Sequence, residues 1–357
     1  MKQILKFTLV FTLLITAGCG LLARGREQAA EAPTTEEQTL TVMTHDSFQA
    51  SQAVIDQFEE EHRVNVQFLE AGDTGTAVNK AILSRDNPLA DVFYGVDNTF
   101  LSRALEEDIF LPYRSPLLDQ VDDQFQLDDQ HRLTPIDFGD VCLNYEKAYF
   151  QERELEPPAS LEDLVEPEYK GLLTVENPAT SSPGLAFLLA TIGHFGEDGY
   201  LDYWQRLVAN DLNVVNDWET AYYSAFSQAG GPDPIVVSYG SSPPFEIIFA
   251  EEDLQDPPTA AVVGSGSCFR QIEFVGILRG TEKENLAQAW IDFMLSPAFQ
   301  EDIPLNMYVF PVNKQAELDP IFKQHLEIPG ETAEVSPQAI AENREKWIEA
   351  WTETVLR

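Results

Sequence analysis

Positive charge is what this chain has least of. Its 357 residues include 22 Lys or Arg against 60 Asp or Glu, a formal net charge of −38. Such a chain repels nucleic acid phosphates and anionic lipid headgroups, which excludes nucleic acid as a partner. It favours a cationic partner, or simply a soluble acidic surface. Histidine is scarce too. His45, His62, His131, His194 and His325 show no metal-ligand spacing, so each reads as a surface residue and no metal is expected. The chain has no GxSxG, HExxH, P-loop or GxGxxG pattern, and with them go the commonest sequence signs of hydrolase, zinc protease, nucleotide or dinucleotide chemistry. No run approaches eighteen apolar residues, so no spanning helix is expected.

Cysteine numbers only three, and the first sits in an informative place. Lys2 and Lys6 form a basic start, and Phe7 to Ile15 is an apolar run too short to span a bilayer. Thr16-Ala17-Gly18-Cys19 then has the form of a lipobox, with Thr16 where Leu is usual. Residues 1–18 are expected to be a lipoprotein leader, and Cys19 the lipidated residue. Residues 19–39 are polar and Glu-rich and read as a tether. Cys142 and Cys268 remain, an even pair in an oxidising compartment. They are either bonded to each other or two buried thiols.

What is present is a globular composition, 44% hydrophobic and 11% aromatic, enough for one large or two medium cores. Leu40–Thr44 reads as a strand, residues 49–61 as a helix on the spacing of Val54, Ile55 and Phe58, and Val64–Leu69 as a second strand. A Gly-rich turn, a helix over 77–84 and a strand over 90–95 follow. This βαβαβ rhythm predicts a parallel sheet with helices on both faces. Strand-like segments recur at 132–144, 172–175, 235–238 and 268–278, with helices over 185–192 and 284–295 and from Ser336-Pro337 to the end. No linker divides the chain. We expect a two-lobed α/β fold of largely parallel sheets. One lobe is built from residues 40–136 and 277–357, the other from 137–276, and strands near 137–143 and 268–276 cross between them. Cys142 and Cys268 fall in these crossing segments, where a disulfide is feasible.

Polar and aromatic residues gather at the expected strand ends, where ligands of such sheets bind. Thr44-His45-Asp46-Ser47-Phe48 follows the first strand and Gly72-Asp73-Thr74-Gly75 the second. Asp73 suits a helix cap, and equally a carboxylate facing a cation. Asn177 to Gly184 precedes an apolar helix, so Ser181 and Ser182 are either caps or donors to polar ligand atoms. Asp217-Trp218-Glu219-Thr220-Ala221-Tyr222-Tyr223 and Ser238 to Phe245 bring rings that stack on a flat ligand or a cation, or pack in the core.

At these residues the chain resembles the thiamine-binding periplasmic proteins of bacterial ABC importers. The shared elements are THDSF, LADVFYGVDN, NPATSSPG, DWETAYY, VVSYGSSPPFE, LSPAFQEDIP, MYVFPVN and AENREKWIEAW, spread over residues 40–355. The resemblance implies a hinged, monomeric carrier that holds thiamine or a thiamine phosphate between its lobes, with no cofactor and no catalysis, and delivers it to an ABC permease. It implies that Gly72, Asp73 and Thr74 hold one side of the ligand and that Ser181 and Ser182 reach its tail or phosphate. Trp218 would stack on a ring, beside Tyr222, and Tyr239, Gly240, Ser241 and Ser242 would line the second lobe. Phe245, Tyr308 and His45 stand where the family has Tyr, Trp and Tyr, which keeps ring faces and changes hydrogen bonding.

Two other readings compete. Adjacent tyrosines such as Tyr222-Tyr223 serve ferric-ion carriers, and a polyamine carrier belongs beside them as another cation binder. A type I thiaminase-like enzyme would use Cys142 as nucleophile and Glu273 as base.

Overall fold

The computed structural model describes residues 38–250, 254–327 and 329–357. The leader, Cys19 and the tether up to residue 37 lie outside the described residues. Gln38 and Thr39, expected in the tether, already belong to the first strand.

Eleven strands form one sheet: β1 (Gln38–Thr44), β2 (Val64–Glu70), β3 (Val92–Asp97), β4 (Phe110–Leu111), β5 (Thr134–Glu146), β6 (Leu173–Glu176), β7 (Asn213–Val215), β8 (Ile235–Tyr239), β9 (Thr259–Val262), β10 (Phe269–Leu278) and β11 (Phe310–Pro311). The main path runs β2-β1-β3-β10-β5-β8-β6-β7. At one end β1 pairs in parallel with β2 and β3, and at the other β6 pairs in parallel with β7 and β8. Both wings carry strands buried on both faces, such as Val92–Asp97 and Ile235–Tyr239, as helix-covered parallel sheets require.

Two long antiparallel strands join the wings. β5 pairs with β10 over Thr134–Val141, then with β8 over Val141–Tyr145. β10 pairs with β5 at its start and with β3 at its end. The two crossing strands expected from the sequence are therefore these. Cys142 and Cys268 are bonded across them, with Cα atoms 4.4 Å apart.

Helix Ser182–Phe195 anchors the second wing. Ser181 caps its start and Pro183 fills its first turn. Leu185, Phe187, Leu188 and Leu189 are wholly buried, each worth about 1.5–3 kcal/mol of apolar transfer. Such a helix, apolar all round, is an interior one, and its N-terminus points back toward the crossing strands.

The last helix, Pro337–Val355, touches both wings. Trp351 sets its ring edge against Trp204 of helix Tyr200–Ala209, centroids 5.5 Å apart, while Arg344 lies 5.1 Å from the Phe100 ring of the first wing. With a buried Trp pair at one contact, the helix braces both wings.

Candidate functional site

A cavity of about 210 Å³ opens where the carboxyl ends of β1, β2 and β8 meet the middle of β10. The groups that line it come from both wings and from the crossing strand.

From the first wing, His45 directly follows β1. Its Nε2 lies 3.4 Å from Glu273 Oε1 of β10. The imidazole sits against Gly95, where a Cβ would come within 2.4 Å of His45 Cδ2 and φ is +104°, so only glycine leaves room for it. After β2, Gly72 turns the chain at φ +92° and Asp73 caps helix Thr74–Leu83, accepting from Thr74 N at 2.6 Å. Asp73 also reaches across the cleft. Its Oδ1 accepts from Ser182 N at 3.0 Å and its Oδ2 from Trp218 N at 3.3 Å. The wings approach closely beside it, since a Cβ on Gly75 would lie 2.9 Å from the Thr180 carbonyl oxygen.

The second wing contributes aromatic surface. Trp218 stacks on Tyr222 at 5.1 Å and 16°, and meets Tyr223, Tyr239 and Tyr308 edge-on. Its Nε1 donates to Ser238 Oγ at 3.0 Å, fixing the ring plane. The Tyr223 and Tyr308 hydroxyls lie 3.1 Å apart over the mouth.

Beneath lies a buried polar layer. Tyr239 donates to Gln271 Oε1 at 3.0 Å, and Gln271 Nε2 donates to Asp97 Oδ2 at 2.8 Å and Ser182 Oγ at 2.5 Å. Asp137 and Glu273 face each other across the β5–β10 ladder. The Tyr94 hydroxyl lies 2.6 Å from Asp137 Oδ2 and 3.2 Å from Glu273 Oε2. One hydroxyl proton cannot serve both carboxylates, so the pair retains a proton of its own. Burial, then mutual repulsion, pushes Asp137 well up, and burial pushes Glu273 the same way. Burial raises Asp73 and Asp97 to about 6 each, and it lowers His45.

Of the residues that the resemblance assigns to the ligand, His45, Asp73, Thr74, Ser182, Trp218, Tyr239 and Tyr308 line this cavity. The others do not. Gly72 sits in the turn behind Asp73, and Ser181 is buried as a helix cap. Tyr222 forms a second layer under Trp218 and donates to Glu246 at 2.6 Å. Its hydroxyl thus leaves that of Tyr223, and the two offer no joint chelating face. Gly240 N donates to the Asp140 carbonyl at 2.8 Å, which turns the chain behind the crossing strands. Gly240 and Ser241 therefore line a second cavity there, Ser241 donating to the Tyr308 carbonyl. Ser242 lies within hydrogen-bond reach of Ser238 at 3.0 Å, and Phe245 is buried against Phe322 and Tyr308.

The cleft also takes Asp46, Ser47, Pro183, Glu219 and Tyr223 from the polar and aromatic strand-end segments, Glu273, which the enzyme reading named as a base, and Gln49, Gln271, Asn306 and Met307, which the sequence reading did not single out. One signal was available: Gln271 and Glu273 alternate with Ile272 and Phe274 in a largely apolar strand. The second cavity is larger, about 430 Å³, but its charged groups are an Asp140–Arg270 pair already satisfied at 2.9 Å and rim residues. Convergent rings and carboxyls mark the smaller one as the site. Cys142 is wholly buried and its sulfur is bonded to Cys268, so it presents no thiolate. Among the described residues no group of three or more His, Cys, Asp or Glu is placed to hold a metal ion.

Two parallel wings, two crossing strands and a polar-aromatic cleft between them define a two-lobed solute-binding protein. The chain belongs to the family of bacterial extracellular solute-binding proteins, whose profile matches residues 87–330. It is 31% identical to the thiamine-binding periplasmic protein of Salmonella typhimurium over 91% of this chain and 96% of that one. It is 30% identical to its Escherichia coli K12 counterpart over the same shares. A solved periplasmic thiamin binding protein superposes with a TM-score of 0.81 at 29% identity, covering 95% of this chain and all of the other.

Proposed function

We propose that this protein captures thiamine in the cleft, outside the cytoplasmic membrane, and delivers it to an ABC importer. One observation carries the reading. The cleft brings Trp218, Tyr223, Tyr239 and Tyr308 together with the carboxyls of Asp73 and Glu273. Thiamine joins a flat aminopyrimidine to a permanently positive thiazolium. Aromatic faces suit both rings through stacking and cation–π attraction, and carboxylates compensate the charge. The relatives named for thiamine binding, matched over nearly their whole length, support the same ligand.

The cavity is smaller than the roughly 300 Å³ at which ligand pockets begin. The wings and the Tyr308–Tyr223 contact at the mouth must part to admit the ligand and close over it, a hinge movement about β5 and β10. The division into lobes, the residue roles, a monomeric carrier and the Cys19 lipid anchor all belong to this proposal. No step of it needs a nucleophile, and the buried Cys142–Cys268 bond agrees with that.

The test is calorimetric titration of thiamine into the chain from Cys19 onward, with tryptophan fluorescence followed in parallel. Saturable one-to-one binding is expected, with affinity about tenfold weaker in Trp218→Leu from lost ring contacts. No heat from folded, ligand-free protein would remove thiamine as the cargo.

A further inference from the structure

We propose that capture of the cationic ligand releases a proton from the Asp137–Glu273 pair, and that the emptied cleft takes one back. The proposal rests on the thiamine reading and adds a second exchanged species to it.

The geometry starts at Tyr94. Its hydroxyl lies 2.6 Å from Asp137 Oδ2 and 3.2 Å from Glu273 Oε2, and its one proton serves one of them. Asp137 is wholly buried, and among the described residues no group donates to its Oδ1. The two carboxyls also lie within hydrogen-bond reach of each other. Two carboxylates make that bond only by sharing a proton. In the empty cleft the pair therefore holds one negative charge and one proton, which spares the cost of a second buried charge.

The titratable groups that face the pair add no positive charge. Tyr94 and Asp97 come from β3, Asp73 from the cap of helix Thr74–Leu83, Asp46 from the turn after β1 and Tyr239 from β8. Glu219, Tyr223 and Tyr308 lie toward the mouth. His45 Nε2 is 3.4 Å from Glu273 Oε1, but burial lowers His45 and keeps it neutral. Among the described residues that line the cleft none is Lys or Arg. Arg270 shares a strand with Glu273 but faces the opposite side, held by both Asp140 oxygens at 2.9 Å. A ligand with a fixed positive ring thus brings the charge that the pair lacks, and it favours the ionised form. Glu273 lines the cavity, so its O–H proton passes to water there and leaves two carboxylates beside the cation. Because protons leave on binding, affinity rises with pH through about 7, the value to which burial pushes Glu273. It levels off once the empty pair is ionised.

The experiment titrates thiamine calorimetrically at about pH 7 in PIPES and in ACES, whose ionisation heats differ, so that the difference in heat counts protons. Free thiamine is titrated alone to account for its own protonation. At that pH Asp73 and Asp97, raised to about 6, are about nine-tenths ionised and contribute little. Release of about half to one proton is expected, with Kd about three- to tenfold lower at about pH 7.5 than at about pH 6.5. In the double variant Asp137→Asn, Glu273→Gln, whose amides imitate the neutral carboxyls, release should fall below about a quarter of a proton. Tyr94→Phe withdraws the hydroxyl that favours ionisation, and should move the rise in affinity to higher pH. Saturable binding with no release, or with uptake, overturns the proposal and leaves the thiamine carrier standing. Undiminished release in the folded double variant overturns it too. Should that variant not fold, a pH profile that Tyr94→Phe leaves in place does the same. If folded wild-type protein binds no thiamine, the thiamine reading itself fails, and this proposal with it.

Discussion

Asp73 Oδ1, from the wing that begins the chain, accepts a hydrogen bond from Ser182 N of the opposite wing at 3.0 Å. The same carboxyl caps its own helix through Thr74 N and holds Trp218 N through its other oxygen. It therefore ties three segments in the arrangement seen here, and two of the ties cross the cleft. Asp73→Ala removes a helix cap and both cross-cleft bonds. A stability loss of about 1–2 kcal/mol is expected from the cap alone. Thiamine affinity should fall by more than the fold is weakened, because closure loses its latch. Thermal melts and calorimetry on Asp73→Ala and Asp73→Asn separate the two effects. Unchanged affinity in the alanine variant would show that Asp73 is a cap and nothing more.

The buried carboxyls set the pH dependence. Burial raises Asp73 and Asp97 to about 6 in the folded chain, against about 3.9 when unfolded. The folded state keeps protons that the unfolded chain has released, so their contribution is fully present below about pH 4 and is lost as pH rises through about 6. The Asp137–Glu273 pair is shifted the same way. His45 works in the opposite direction, since burial lowers it and its folded form resists the proton as pH falls below about 6.5. Burial raises Glu176 and Glu246 as well, and six carboxyls against one imidazole leave the acids dominant. The melting temperature at fixed ionic strength should be a few degrees higher at pH 5 than at pH 8, a difference on the order of 2 kcal/mol. The double variant Asp73→Asn, Asp97→Asn should flatten that slope. A midpoint that climbs from pH 5 to pH 8 would mean that these carboxyls are ionised throughout.

The parts legible in the sequence were those written in local pattern. Val54, Ile55 and Phe58 at helical spacing, the apolar strands around them and the cap Ser336 are each decided within a few residues, and the structure has them as read; Ser181, read as either cap or ligand donor, caps its helix. The crossing strands were legible as two long β-rich runs, Thr134–Glu146 and Phe269–Leu278. The floor of the site was not. Glu273 meets Asp137 only through a register set by strands far apart in the chain, and nothing near either residue announces the other. The residues after β8 are placed by a contact of the same long-range kind. The Gly240 amide bonds to the Asp140 carbonyl, Gly240 and Ser241 line the second cavity, and Phe245 packs on Phe322.

Cys142 and Cys268 make the last prediction, because their bond joins the two strands about which the wings would move. They are separated by 126 residues, and a link closing so long a loop stabilises a chain by roughly 2–4 kcal/mol. Cys142→Ala with Cys268→Ala should therefore unfold at lower denaturant with the fold retained, since both positions are wholly buried and alanine fits them. Thiamine affinity should change far less than stability, because neither sulfur lines the cleft. The same pair supplies the test of cleavage chemistry. Oxidised protein incubated with thiamine should return it intact, and thiol titration of denatured, unreduced protein should find neither Cys142 nor Cys268 free. Steady loss of thiamine that Cys142→Ser abolishes would place a reduced, nucleophilic Cys142 in solution and turn the carrier into an enzyme. Burial of that sulfur, with Gly240 packed so close that an added Cβ would lie 3.2 Å from it, leaves a substrate no approach by which this could happen in the closed fold.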